Sequence, residues 1–404
     1  MFQQLSLFRK LTLVSCVLGL AACARPVDRG QQYLDGEFEH VLNPVAQVAS
    51  DKPRDYSRFE AQSEQVLTRS PSMMLRYQNL YQQVKTWAEE SGDPALLTQY
   101  GLTTDQMGGG DGYGNVMFTG YFSPVIELRH EKDDTFKYPV YTMPVCDGQC
   151  PTRAEIYNGA LEGQELELGY AASKLAVFMM EVQGSGFVHF EDNDQLQYFA
   201  YGGKNGHPYV SIGKILIERG EVPREKMSLK AIAEWVDQQD DATVRELLEQ
   251  NPSYVFFRPR EDLDVLGTAG IPLLPMASVA ADREFLPMGS VLLAEVPQLD
   301  TEGNWNGKHV LTLLMALDTG GAVKRNHLDL YHGMGEQAGI DAGHYKHFGR
   351  VWKLGLTPEI DTALTEERVR ATEKTIARPV DTNLTFLEES VQGQPAVTGS
   401  GLDN

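Results

Sequence analysis

The chain has 404 residues, with 56 acidic against 35 basic side chains and a formal net charge of −21. That balance excludes nucleic acid and anionic lipid as partners held by charge, because polyanions are bound through Lys and Arg. The length, with 42% hydrophobic residues, suits two domains of ordinary size, each with its own core.

Arg9 and Lys10 precede an apolar run over residues 11–20, and Ala21-Ala22-Cys23 supplies small residues at a cleavage point. Such a run is too short to span a bilayer and reads as a signal peptide, residues 1–22. Leu20-Ala21-Ala22-Cys23 resembles a bacterial lipobox, which predicts lipidation of Cys23 and a surface anchor without a span. Ala24 stands where an Asp would mark retention, which resembles lipoproteins of the outer membrane that face the periplasm.

From Cys23 to about residue 49 the chain is polar and irregular, as a tether would be. Residues 72–89 predict a helix, since Met73, Met74, Tyr77, Leu80, Tyr81, Val84 and Trp87 recur at three- and four-residue steps. Gly108-Gly109-Gly110 marks a loop, and residues 115–122 predict a strand ending at Ser123-Pro124. With Cys16 in the signal peptide and Cys23 lipidated, Cys146 and Cys150 remain, either as a small disulfide loop or as two thiols. They lack the second Cys or His pair that a metal site wants.

Residues 171–182 predict a helix, followed by the flexible turn Gln183-Gly184-Ser185-Gly186. A second glycine-rich polar loop covers residues 201–207. Residues 212–219 predict a helix with Ser211 as N-cap and Gly220 just past its end. Further helices are predicted over 229–237 and 242–249. After Ser253 the runs YVFFRP, SVLLAEV, HVLTLLMAL and FGRVWKL are β-branched and aromatic. Short strands with no long helices between them predict a compact barrel. A short amphipathic helix is predicted over 359–374, and the Gly/Ser/Asp-ending tail has the composition of disorder.

Three carboxylates stand out. Asp282 follows ASVAA, Asp318 ends an apolar run and opens Thr-Gly-Gly, and Asp329 lies inside His-Leu-Asp-Leu-Tyr. Ionised carboxylates are seldom placed among apolar residues without a partner. They read as buried turn-makers, as a two-carboxylate glycosidase pair, or as one acid that protonates a leaving oxygen and then takes a proton from the substrate. Spacing does not choose between the last two. Asp318-Thr319-Gly320 looks like the aspartic peptidase motif, but that chemistry needs two such aspartates and no second D-T-G or D-S-G occurs. His327, His332, His344 and His347 crowd around Asp329, but on glycine-rich segments and without the helical H-E-x-x-H spacing, so no metal is expected.

The blocks FTGYFSP, PTRAEIY, VQGSG, YGGKNGH, NPSYVFF, PMASVAADR, LLAEVP, ALDTGGA, HLDLYHG and HFGRVW occur in this order over residues 118–352. They resemble the membrane-bound lytic murein transglycosylase A family, a likeness covering roughly residues 23–354. The resemblance implies a mainly β fold with helices: a six-stranded double-psi β-barrel up to about residue 122 and again over 253–354, a β-rich domain inserted at 123–252, and a glycan groove between them, with the tail 355–404 outside the likeness. It implies Asp329 as the catalytic acid, Asp318 and Asp282 as supporting aspartates, and Thr119 lining the same site. Thr319 stands where the family can carry Val. Gln183, Gly184, Ser185, Gly186, Tyr201, Lys204, Asn205 and Tyr331 are expected to contact the glycan. The implied reaction breaks the β-1,4 bond between N-acetylmuramic acid and N-acetylglucosamine without water, forming a 1,6-anhydromuramyl end and needing no cofactor. A monomer acting on peptidoglycan strands is expected, with synthase or scaffold partners in the cell wall machinery. A hydrolase on the same fold and a non-catalytic glycan-binding lipoprotein are the alternatives.

Overall fold

The structure, a computed structural model, describes residues 30–376 except 32 and 35. The signal segment 1–22, the lipidation site Cys23 and the end of the tail, 377–404, lie outside the described residues. The chain divides into one compact unit up to Gly355 and a second from Leu356. In the second, the predicted helix is present as Pro358–Ile376.

The first unit holds two sheets. Ten strands form a mixed sheet in the order Leu42–Val45, Leu102–Met107, Val351–Leu356, Val291–Leu299, Trp305–Asp318, Ser278–Ala280, His327–Met334, Val116–Ser123 and Lys346–Gly349, with Arg54–Asp55 pairing onto Trp305–Asp318. Alternation along its strands gives the sheet one apolar face, and the sheet curls around that face. Val116, Phe118, Val279, Leu314, Ala316, Leu328 and Leu330 turn inward into one core, each such large side chain contributing about 1.5–3 kcal/mol by its burial. The Lys346–Gly349 edge returns against Val291–Leu299, where the Glu295 N–H donates to the Arg350 carbonyl at 2.8 Å. Only a glycine fits that seam, since a Cβ on Gly349 would lie 1.9 Å from the Glu295 carbonyl oxygen. The barrel is nearly closed.

The second sheet has six strands: Val255–Arg260, Gln195–Lys204, Gly186–Phe190, Val125–Arg129, Glu167–Ala171 and Tyr138–Tyr141. Helix Lys174–Gln183, capped by Ser173, packs its Val177 and Met180 on this sheet. Its Phe178 points to a separate helical core with Leu216, Trp235 and Leu247. Arg153 and Glu181, both fully buried, form a bidentate pair at 3.1 and 2.8 Å behind these cores. Cys146 and Cys150 form a disulfide.

The predicted helices appear as Pro71–Glu90, Ile212–Glu218, Leu229–Val236 and Asp241–Glu249, each started by a side-chain cap from Ser70, Ser211, Ser228 and Asp240. Four expectations need correction. The tether ends earlier, because Val41 and Val48 are buried and Leu42–Val45 pairs with Leu102–Met107. The helix read over 171–182 starts later, as Lys174–Gln183, because Ala171 still belongs to the strand Glu167–Ala171. The run YVFFRP belongs to the six-stranded sheet, so the chain returns to the barrel after Arg260 and not near 253. Its Phe256 and Phe257 are buried in different cores on opposite faces, and a run apolar on both faces does not reveal which sheet receives it. Finally, helix Gly335–His344 does interrupt the barrel strands. Gly335, Gly339 and Gly343 hide it, since glycine is a poor helix former; yet at Gly339 a Cβ would meet the Phe122 ring at 2.7 Å.

Candidate active site

The site is a row across the barrel sheet. Thr119 pairs in register with Lys346 on one side and Asp329 on the other. Asp329 then faces Ala280, and Ala280 faces Asp318. Because Leu328 and Leu330 point into the barrel, His327 and Asp329 turn to its outer face. The same alternation places Thr119 outward beside Phe118.

Asp318 reaches that face through a bulge. Ala316 is inward and pairs with Val279, but the next residue, Ala280, pairs with Asp318, so the register slips by one at Leu317. Without the extra residue Asp318 would share the parity of Ala316 and enter the core. Bulges re-aim side chains in this way. Tyr121 donates to Asp318 Oδ2 at 3.0 Å. The Thr268 N–H and hydroxyl and the Thr319 N–H donate to Oδ1 at 2.8, 2.6 and 2.8 Å. The Thr268 loop can approach because Gly267 has no Cβ, which would lie 2.4 Å from the Leu317 carbonyl.

Asp329 is half-buried and carries one short contact, Thr119 Oγ1 to Oδ1 at 2.6 Å. Burial pushes its carboxyl up to about 6; the Thr119 hydrogen bond opposes this and the charge of Asp318 adds to it. A neutral carboxylic acid near the working pH is a proton donor. Thr119 Oγ1 also lies 2.7 Å from His327 Nε2. Burial holds His327 below the usual imidazole range, a carbonyl contact from Ala322 opposing and Lys346 assisting.

Asp282 plays a different part. Its Oδ2 accepts the Arg325 N–H at 2.9 Å and its Oδ1 the Glu284 N–H at 3.2 Å. The Arg325 hydrogen bond holds its carboxyl below the usual range, with Lys324 and Arg325 charges contributing and burial opposing. It clamps the loop that joins the strands of Asp318 and Asp329.

A cavity of about 600 Å³ begins at Thr119 and Lys346 and runs between the barrel and the helical side of the second sheet, past Gln183, Phe178 and Tyr209. Of the expected glycan contacts, Gln183 lines it, and its Oε1 accepts the Phe122 N–H at 3.3 Å. Gly184 ends the helix in the left-handed region, φ 81°. Ser185 bonds Tyr198, and Gly186 starts the next strand. Tyr201 and Lys204 are exposed on Gln195–Lys204, outside the cavity. Two expectations are corrected. Asn205 is 1% exposed, and its amide is saturated by the Pro151 and Pro252 carbonyls and the His207 and Tyr254 N–H groups. It staples the loop and has no donor left for a sugar. Tyr331 is buried, its hydroxyl 3.1 Å from Ser123 Oγ, backing Tyr121 at a ring separation of 5.2 Å.

Sequence reasoning missed Tyr121, Thr268, His327 as a partner of Thr119, and Lys346. Tyr121 and His327 sit two residues from Thr119 and Asp329, so strand alternation was a usable signal; the Thr268 loop had none. Among the described residues no group of three or more His, Cys, Asp or Glu is placed to hold a metal ion.

Family models match residues 148–258, as the MltA specific insert domain, and 277–355, as the 3D domain. The chain is 64% identical over 348 residues to membrane-bound lytic murein transglycosylase A of Vibrio cholerae serotype O1, covering 86% of this chain and 95% of the relative. Identity to the protein of the same description in Escherichia coli K12 is 47% over 350 residues, covering 86% and 96%. The crystal structure of E. coli MltA with bound chitohexaose matches with a TM-score of 0.78 at 46% identity, over 83% of this chain and 100% of the other. The lytic transglycosylase LtgG of Burkholderia pseudomallei matches with a TM-score of 0.54 at 29% identity, over 81% and 99%.

Proposed function

Because the chain belongs to the membrane-bound lytic murein transglycosylase A family, we infer that Asp329 is first the acid and then the base of its reaction. The protein is a lytic transglycosylase acting on peptidoglycan. The observation that carries the assignment of roles is the single half-buried carboxyl raised to about 6 beside the groove, with Asp318 on the same row but already engaged by four donors.

In this reading protonated Asp329 donates to the oxygen joining N-acetylmuramic acid C1 to the next N-acetylglucosamine. Positive charge builds on the muramyl ring as the bond breaks, and Asp318 or the substrate's acetamido oxygen stabilises it. The carboxylate of Asp329 then takes the proton of the sugar's C6 hydroxyl, which closes on C1 to form the 1,6-anhydro ring. A tethered nucleophile has a large effective concentration, so no second carboxylate has to activate water. Acid–base help of this kind contributes roughly 100- to 10,000-fold. Asp282 serves by clamping the loop, and Gln183 with the turn 184–186 borders the bound glycan.

Finer parts of the reading belong with it: a double-psi strand order in the barrel, acylated Cys23 as the anchor in the outer membrane, and a periplasmic orientation. The Cys146–Cys150 disulfide supports an oxidising compartment. Synthase or scaffold partners in the cell wall machinery are part of the proposal, as is a monomeric enzyme. Mass spectrometry of products from purified murein tests the reaction. Anhydro ends that vanish in Asp329→Asn support it; reducing ends, one water heavier, would make the enzyme a hydrolase; unchanged behaviour of the variant would make it a binding protein.

A further inference from the structure

Thr119 has one proton and two neighbours that compete for it. Its oxygen lies 2.6 Å from Asp329 Oδ1 and 2.7 Å from His327 Nε2, and a hydroxyl donates once while accepting through its lone pairs. If Thr119 donates to Asp329, the contact with His327 is satisfied only when Nε2 carries a proton. If it donates to His327, the contact with Asp329 is satisfied only when Asp329 is protonated. The Ala322 carbonyl at the imidazole favours a proton on Nδ1, leaving Nε2 as an acceptor in the neutral ring.

We propose that His327 is a positioning residue which, by accepting the Thr119 proton, holds Asp329 in its acid form until the glycosidic bond begins to break. The proposal rests on Asp329 being the acid. In the resting site the chain runs from the Asp329 hydroxyl to Thr119 Oγ1, and from the Thr119 hydroxyl to His327 Nε2. The carboxyl torsion is soft and two-fold, so a half-turn aims the acidic proton at the leaving oxygen and brings the carbonyl oxygen to Thr119. As the proton transfers, the electrons of the C1–O bond pass to the leaving oxygen and charge appears on the carboxylate. Thr119 then rotates its proton from His327 to Asp329, where a charged acceptor outcompetes a neutral nitrogen. The hydrogen bond to the carboxylate thus forms as charge develops, which lowers the barrier and not the ground state. No net proton passes along the chain, and Asp329 regains its own from the C6 hydroxyl.

Other ionisable groups around the pair are accounted for. Asp318 acts on Asp329, and the charges of both act on Tyr121. Lys346 disfavours charge on His327. On the two helices packed against Val116–Ser123, Glu181 is paired with Arg153 and Asp341 acts on His332.

The test is the pH profile of kcat for anhydro-product formation from soluble glycan strands, using the full chain. In His327→Ala the Thr119 proton is free to remain on the carboxylate, so the alkaline limb should move acidward by about one pH unit with KM little changed. His327→Gln, whose amide oxygen can accept at the Nε2 position, should restore the limb in part. In a Thr119→Val background, His327→Ala should cause no further movement. A uniform loss at every pH with an unmoved limb, or the same shift with and without the Thr119 hydroxyl, would overturn the proposal. If His327→Ala folds poorly, His327→Leu, which fills the site and offers no acceptor, takes its place: an unmoved limb in that variant is the refuting result. Loss of all product in Asp329→Asn separates this question from that of the acid itself.

Discussion

Replacing Asp329 by Asn should abolish turnover and at the same time make the protein more stable, by an amount that depends on pH. In the unfolded chain this carboxyl ionises near 3.8, while in the fold burial carries it to about 6. Between those values the folded protein keeps a proton that the unfolded chain has lost. Stability therefore falls as pH rises through that window and levels off above it. A rise of about two pH units corresponds to about 3 kcal/mol; Asp329 is only partly buried, and solvent screening leaves about 2 kcal/mol. Asn has the shape of the neutral acid, can donate to Thr119 through its amide as the protonated carboxyl would, and cannot ionise, so it escapes the penalty. With an unfolding entropy of ~2 cal/mol/K per residue, a chain of this size changes its Tm by ~1.5 °C per kcal/mol. The variant should melt about 3 °C above the parent at pH 8, and the gap should close at pH 3.5, where both are neutral. The assay is thermal unfolding of both proteins in matched buffers across that range. A variant less stable than its parent at pH 8, or a gap that does not change with pH, would show that Asp329 is not a carboxyl raised by burial.

Three further outcomes are expected. The kcat of the parent should decline as pH rises through about 6, since the acid form is the active one and Asp329 loses its proton there; a flat profile from pH 5 to 8 would remove Asp329 as donor. Tyr121→Phe deletes one of the donors to Asp318, and a hydrogen bond to a charged group is worth about 1.5–3 kcal/mol, so kcat should fall roughly 10- to 100-fold while circular dichroism stays unchanged. Parent-like turnover would mean Asp318 does not depend on Tyr121. Gly349→Ala forces a methyl group against the Glu295 carbonyl where 1.9 Å is available. The seam of the barrel must open, and a loss of several kcal/mol measured by denaturant unfolding is expected, as for other overpacked sites; a variant within 0.5 kcal/mol of the parent, roughly the scatter of surface substitutions, would mean that the seam is not tight.

Much of the local structure was readable. Ser211 announced its helix because capping is a short-range interaction between a side chain and an N–H two or three residues on. The barrel strands 290–296, 309–317 and 348–354 were visible through β-branched and aromatic runs. The glycine-bearing helix Gly335–His344 was not, because its reason for existing is a neighbour, Phe122, distant in the chain. The same holds for YVFFRP, which is equally apolar whichever sheet receives it.

At the site the division is sharper. The ordered blocks, through their resemblance to the lytic transglycosylase family, pointed to murein cleavage, while the apolar setting of Asp282, Asp318 and Asp329 marked them as candidates without choosing among them. The proposed division of roles among the aspartates draws on cross-strand register, which no spacing encodes. One extra residue at Leu317 turns Asp318 out of the core, Asp282 spends its oxygens on the Arg325 loop, and Asn205 is used up as a staple. Asp329 alone is left half-buried, raised by its surroundings and one hydroxyl away from His327. Desolvation and hydrogen-bond occupancy are properties of the neighbours a fold assembles, so they exist only once the sheet has closed.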